Sequence, residues 1–382
     1  MSTRQKLAVF IFAAIMLFAI GKSSYAEGGW SIQLEPMWMD VTGNDVHVGD
    51  VFNYKEEFTE DAEGNYTVKY GVTYDPINLN MDSKLTLRTE IVYKKTQWGL
   101  GVSGWWFNTD ASLSGRVTTP PSESTGDGYT YYVNGVRMWD STIIPVYNEL
   151  EESYCSPVDY WARNDLGVWT ANIFGLRTLA EKENSHIDLT FGLKVGSLNN
   201  DRNEGQTQRA YVEDYYYYGL DFDNNIRLES TSKADYGLMA GPSIGLQGKA
   251  KYKRVGIEAL VNQSVLIGKV DQSGTWTDID DILYTYGGST IRHNVYTGGF
   301  SFSKDETVAI PVTELRLKFM VDLMKNVSIG IGGFASIWYN APLAPKWSVL
   351  GDWTAAEGSG WRLQKNTLVF YGGMAALNIR FN

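Results

Sequence analysis

The end of the chain constrains the fold more than any other stretch. Read backwards, alternate residues are Phe381, Ile379, Leu377, Ala375, Gly373, Tyr371 and Val369. Between them stand Arg380, Asn378, Ala376, Met374, Gly372 and Phe370. In an extended strand successive side chains point to opposite faces, so the first set forms one apolar or small face and the second carries the polar groups. An oily strand face that finishes at the C-terminus is what the closing strand of a bacterial outer-membrane barrel requires.

The same period recurs. Stretches 30–41, 81–93, 98–107, 158–179, 187–196, 236–246, 255–267, 313–321, 327–337 and 369–381 all alternate. In 98–107, Trp98, Leu100, Val102, Gly104 and Trp106 share one face; in 255–267, Val255, Ile257, Ala259, Val261, Val265 and Ile267 lie opposite Glu258, Asn262 and Ser264. The phase of 158–179 is mixed, because Val168, Phe174 and Leu176 share a face with Asn172, and a bulge is expected there. Short turns join stretches two to three, four to five, six to seven and eight to nine. Long connections, 43–76, 108–157, 197–234, 270–307 and 340–364, fall between the others. Short periplasmic turns and long external loops are the outer-membrane pattern, and an even strand number leaves both termini in the periplasm. The expected fold is therefore all-β: a transmembrane antiparallel up-and-down barrel of about ten strands, with eight to twelve as the range.

The N-terminus agrees with export. Arg4 and Lys6 precede an apolar run from Leu7 to Ile20 that is too short for a membrane-spanning helix, and Ser24 and Ala26 supply the small residues of a cleavage site. Residues 1–26 are expected to be a cleaved signal peptide and 27–382 the barrel, in the cell outer membrane. Removing Arg4, Lys6 and Lys22 takes the formal charge from -11 to -14, which argues against nucleic acid as a partner. Cys155 is the only cysteine, which excludes an internal disulfide and a covalent haem site.

Aromatic residues make up 14% of the chain. Trp30, Trp98, Trp105, Trp106, Trp338 and Tyr339 cluster at strand ends, where interfacial belts of a barrel place amphipathic rings. The opposite, inward faces carry both charge signs: Lys84, Arg88, Glu90, Asp188, Lys194, Glu258, Asn262, Glu314, Arg316, Lys318 and Arg380. These residues either line a polar pore or pair with one another and fill a narrow lumen.

No motif fixes a nucleophile, so no enzymatic role is expected. His47 and His293 fall in external connections and His186 at a periplasmic turn. Asp221, Asp223 and Asn225 begin like a calcium loop, but Ile226 replaces its glycine and Ser232 its closing glutamate. No metal or other cofactor is expected. The first long connection is acidic, with Asp45, Asp50, Glu56, Glu57, Glu60, Asp61, Glu63 and Asp75, and the third carries Tyr211 and Tyr215 to Tyr218.

Several segments, 240–246, 311–317, 331–334 followed by Trp338, and Gly372 to Phe381, resemble pore-forming outer-membrane proteins typified by the Legionella major outer-membrane protein. The resemblance implies a channel or surface antigen. The chain departs from it by ending in Asn382 after Phe381 and by its long acidic loops. The sequence thus leads to a passive channel for small hydrophilic solutes. Its alternative is a non-conducting surface or scaffold protein acting through its loops in adhesion or partner binding. Expected partners are outer-membrane lipid, lipopolysaccharide and the barrel assembly machinery; the oligomeric state stays open.

Overall fold

A computed structural model describes residues 28–61, 63, 65–118, 123–125, 128–138, 141–143, 153–215, 220–347 and 361–381. The expected signal peptide, residues 1–26, and Tyr216 to Tyr218 lie outside the described residues, as do the side chains of Tyr211, Tyr215 and Cys155. The described chain is built from strands: β1 (Gly28–Thr42), β2 (Val46–Glu60), β3 (Tyr66–Leu79), β4 (Lys84–Lys95), β5 (Trp98–Val117), β6 (Glu123–Thr125), β7 (Gly128–Met138) and β8 (Ser141–Ile143). These are followed by β9 (Ser153–Lys182), β10 (Ser185–Tyr215), β11 (Leu220–Tyr236), β12 (Met239–Tyr252), β13 (Val255–Tyr286), β14 (Ser289–Met324), β15 (Val327–Trp347) and β16 (Trp361–Phe381).

The main sheet closes on itself. Its neighbours run β10, β12, β13, β14, β15, β16, β1, β4, β5, β9 and back to β10, all antiparallel, which makes a barrel of ten strands. The seam between the chain's ends pairs Trp30 with Phe381 and Thr42 with Val369. β11 continues the line of β12: β11 pairs with the upper halves of β10 and β13, and β12 with their lower halves. Two-residue turns join β4 to β5, β9 to β10, β12 to β13 and β14 to β15.

The wall is oily outside. Leu85, Leu100, Ile173, Phe191, Leu193, Ile244, Val261, Leu317 and Ile331 all face outward and are exposed. Above this band the outward positions turn polar and acidic. Asp110 lies opposite Asp165 and Asp165 opposite Asp201, while Asp235 lies opposite Asp271 and Asp271 opposite Asp305. This inside-out pattern, apolar wall and polar rim, suits a barrel set in lipid.

Two expectations are corrected. The described residues of connections 197–234 and 270–307, the Gly287-Gly288 turn apart, are strand and not loop, so that β13 has 32 residues and β14 has 36. The wall therefore rises well above the apolar band, closing at Gly287-Gly288, whose φ of 54° and 76° suit glycine. The other revision concerns 158–179: the expected bulge is present, but only at its far end, and the phase holds up to it. Val158, Ala162, Leu166, Val168, Phe174 and Leu176 all point inward, and the register slips only at Leu179, between Thr178 and Ala180. The apparent mixture arises because this strand's inner face is itself apolar. Connections one and two pair into a second antiparallel sheet, ordered β3, β2, β7, β6, with β8 on β7.

Candidate functional site: the filled lumen

The inward face of each strand follows directly from the parity of its outward face, and the lumen is where those faces meet. At mid-wall, charged side chains from strands on opposite sides reach one another. Arg316 on β14 donates to Glu90 on β4 at 2.9 Å and to Glu35 on β1 at 3.3 Å. Arg88 donates to Glu35 at 2.5 Å and to Glu90 at 2.7 Å. Lys318 donates to Gln33 at 2.7 Å and pairs with Glu35 at 2.8 Å and Glu258 at 2.9 Å. A second knot joins Lys194 to Glu314 at 2.7 Å, with the Trp105 indole N–H donating to the same carboxylate at 3.0 Å.

Burial decides what this network is. The side chains of Glu35, Lys194 and Lys318 are 0% exposed, and that of Arg316 is 1%. The buried members balance, four cations (Arg88, Lys194, Arg316, Lys318) against four anions (Glu35, Glu90, Glu258, Glu314), and the part-exposed Lys249 also meets Glu258 at 3.1 Å from the periplasmic side. Buried charges persist only when so paired and hydrogen-bonded.

The upper lumen is apolar instead. Trp105, Phe107, Phe334, Trp338 and Phe370 stack edge to face there, with centroids of Trp105 and Phe334 5.4 Å apart. Above them, β15 parts from β14 after Trp338 while staying paired with β16, and it turns inward at Asn340, whose φ is 52°. Residues Ala341 to Pro345 are all buried, and three strands tether this arm. Tyr236 donates to the Pro342 carbonyl at 2.5 Å, Gln272 to the Leu343 carbonyl at 2.8 Å, and the Asn200 side chain accepts from the Ala344 N–H at 2.9 Å. Trp347 then stacks on Trp276 at 5.3 Å.

The inward candidates fall into three groups. Arg88, Glu90, Lys194, Glu258, Glu314, Arg316 and Lys318 form the network. Asp188 is buried towards the periplasmic end of the lumen, accepting from Lys94 at 2.9 Å, and Asn262 is buried at mid-wall beside its cross-strand neighbour Glu314. Lys84 and Arg380 sit at the two rims, where Lys84 meets Asp82 at 3.2 Å and Arg380 meets Asp322 at 3.4 Å. Glu35 and Gln33 are central to the network but were absent from the sequence-based set, although their parity against Ile32, Leu34 and Trp38 marks them as inward.

Among the aromatics, Trp30, Trp98, Trp106 and Tyr339 face outward. Trp105 and Trp338 do not: they are 1% and 0% exposed and belong to the lumen. In a run such as Trp105-Trp106 only one ring can face lipid, because neighbours point to opposite faces.

Above the membrane band, His293 lies 2.6 Å from Asp281, and His47 lies 3.0 Å from Asp50. Sheet pairing brings His293 and Asp281 together across β13 and β14, a neighbourhood invisible in the linear sequence. Asp221 and Asp223 lie on β11 rather than in a loop, and Asp223 is held by Arg209 at 2.8 Å. On the outer wall, partial burial and then the facing carboxylates of Asp165 and Asp235 hold the Asp201 carboxyl above the usual range. Among the described residues no three His, Cys, Asp or Glu side chains converge as a metal site.

No protein-family model and no curated protein matches the chain. Among solved structures, the chain is similar to the outer-membrane protease OmpT from Escherichia coli, at 11% identity and a TM-score of 0.39, covering 92% of this chain and 97% of that one. The Pseudomonas putida toluene transporter TodX matches at 8% identity and a TM-score of 0.24, covering 94% and 91%. The transport unit of the E. coli autotransporter AIDA-I matches at 7% identity and 0.25, covering 95% and 92%. Likenesses this distant carry no residue and no activity across.

Proposed function

We propose that this protein is an outer-membrane barrel with a closed lumen, acting at the cell surface through the sheet and tall wall it raises outside the bilayer. The observation that carries the reading is the buried ion-pair network, whose charges leave no exposed side chain at mid-wall. A passive channel needs its charged lining wetted, and a water-filled lumen would register as exposure of Arg88, Arg316 and Lys318. Here Arg316 on β14 reaches Glu90 on β4 and Glu35 on β1 across the space a solute would cross. The apolar stack and the inturned β15 arm lie in series above it, so any path would meet three barriers.

Localisation rests on the apolar band, its acidic upper rim and the expected signal peptide. Outer-membrane lipid surrounds the band, and lipopolysaccharide the upper rim. Single-channel recording on the folded, purified mature protein in planar bilayers tests the reading. Insertion without steady current is the expected result. Steady conductance whose ion preference changes in Arg316→Glu would overturn it and restore the passive channel.

A further inference from the structure

The second sheet ends in a strand with nothing beside it. Among the described residues β3 pairs only with β2, and its other edge is open. Tyr70 is 67% exposed, Val72 47% and Tyr74 54%. An open edge of this length is a template for another strand, and proteins normally blunt such edges. On β3 the blunting is slight: Lys69 stands near its start and Asp75 two-thirds of the way along, and Pro76 stands just before Ile77, which is buried at the base.

The sequence of this edge is complementary to itself. A two-fold axis normal to the sheet keeps even-numbered residues of both copies on one face, so only registers pairing like parity exist. When Val72 lies opposite its own copy, Tyr70 lies opposite Tyr74, Gly71 opposite Thr73, and Lys69 opposite Asp75. The charged pair occurs twice by symmetry. Moving the centre to Gly71 sets Lys69 against Thr73. Moving it to Thr73 sets Lys69 against the buried Ile77. Centres at Lys69 or Asp75 set like charges together. Only the Val72 register matches charge with opposite charge and ring with ring, the cross-strand pairs that stabilise sheets.

We propose that β3 is a homotypic docking edge, at which a second copy of this chain adds antiparallel in the register centred on Val72. The two sheets then become one, with Tyr70, Val72 and Tyr74 of each copy forming a continuous apolar strip. This deepens the closed-lumen reading by naming the partner its external sheet takes, yet it stands on separate observations.

The test uses the full mature protein in detergent, where no bilayer fixes the orientation of either copy. In a Cys155→Ser background, Val72→Cys places the introduced thiols opposite each other, within the span a disulfide bridges. Thr73→Cys does not, since its partner is Gly71. Oxidation is expected to link Val72→Cys into dimers several-fold more than Thr73→Cys. Lys69→Asp sets acid against acid twice and is expected to weaken association by roughly tenfold or more in sedimentation. Adding Asp75→Lys restores opposite charges, and association should return. These side chains are exposed, and heat-modifiable migration verifies that each variant is folded. Equal cross-linking at both positions, no rescue in the double reversal, or a wild-type protein that stays monomeric would overturn the proposal. None of these variants touches the lumen, so conductance judges the closed-lumen reading independently.

Discussion

Replacing Arg316 with methionine keeps most of the side chain's volume in the lumen and removes its charge. Arg316 donates to Glu90 at 2.9 and 3.4 Å and to Glu35 at 3.3 and 3.4 Å, from a side chain 1% exposed. Without it, Glu35 and Glu90 are left to Arg88 and Lys318, and the buried members of the network carry one surplus negative charge. Removing one partner from a buried ion pair costs about 3–5 kcal/mol, because the other charge is left without water. The same deletion at an exposed pair costs about 0–1 kcal/mol. A gap of this size is readable by urea titration of the refolded protein, followed by tryptophan fluorescence. Adding Glu90→Gln removes the orphaned anion, so the double variant should lose less than the two single variants together. A loss below about 1 kcal/mol for Arg316→Met, or strict additivity with Glu90→Gln, would refute the reasoning, since only a hydrated lumen tolerates the orphan so cheaply.

Gly372 and Gly373 offer a contrasting pair. A Cβ on Gly372 would collide with the Trp38 carbonyl oxygen and come within 2.8 Å of the Met39 Cα, whereas one on Gly373 meets nothing within 4 Å. Gly372→Ala is expected to lower the melting temperature of the folded band by several degrees, and Gly373→Ala to leave it unchanged. Trp105→Phe strips the indole donor from Glu314 and should cost about 1–3 kcal/mol in the same urea assay, while the outward Trp106→Phe should cost under about 1 kcal/mol. For Asp201, a raised folded pKa means that the fold binds the proton more tightly than the unfolded chain, so ionisation weighs against folding as pH rises. Asp201→Asn is therefore expected to be more stable than wild type at pH 7, and the advantage should vanish below about pH 3.9, where the unfolded chain is protonated too.

What the sequence discloses depends on whether hydrophobicity alternates along the strand. Where an oily outward face met a polar inward one, as in Val255 to Ile267, strand, face and turn were all legible, and the ring of ten followed. Higher up, β10 alternates one polar residue with another: Asn200, Arg202, Glu204, Gln206 and Gln208 point inward and are buried, while Asp201 and Asn203 point outward. No hydrophobic period marks such a strand, so the tall wall looked like loop. The inverse holds in β9, where both faces are apolar enough to hide the phase. Within the site, parity placed Arg316, Lys318 and Glu90 on the inner face, but their partners sit across the ring, and no local pattern encodes who meets whom. Trp105 and Trp338 show the cost of reading composition ahead of parity. Clustered aromatics suggested a belt, whereas alternation alone already sent both rings inward.

The seam between β1 and β16 has a consequence for assembly. Glu35 lies 281 residues from Arg316 and 283 from Lys318 along the chain, and β1 reaches its last neighbour only when β16 arrives. Contacts so distant in sequence form late, after the entropy of closing the intervening chain has been overcome. Until then the charges of the inner face stay hydrated, and an unfinished ring is a wet trough that hydrocarbon cannot enter. Ring closure and drying of the interior are thus a single event, and a partial barrel has no low-energy resting place in the bilayer.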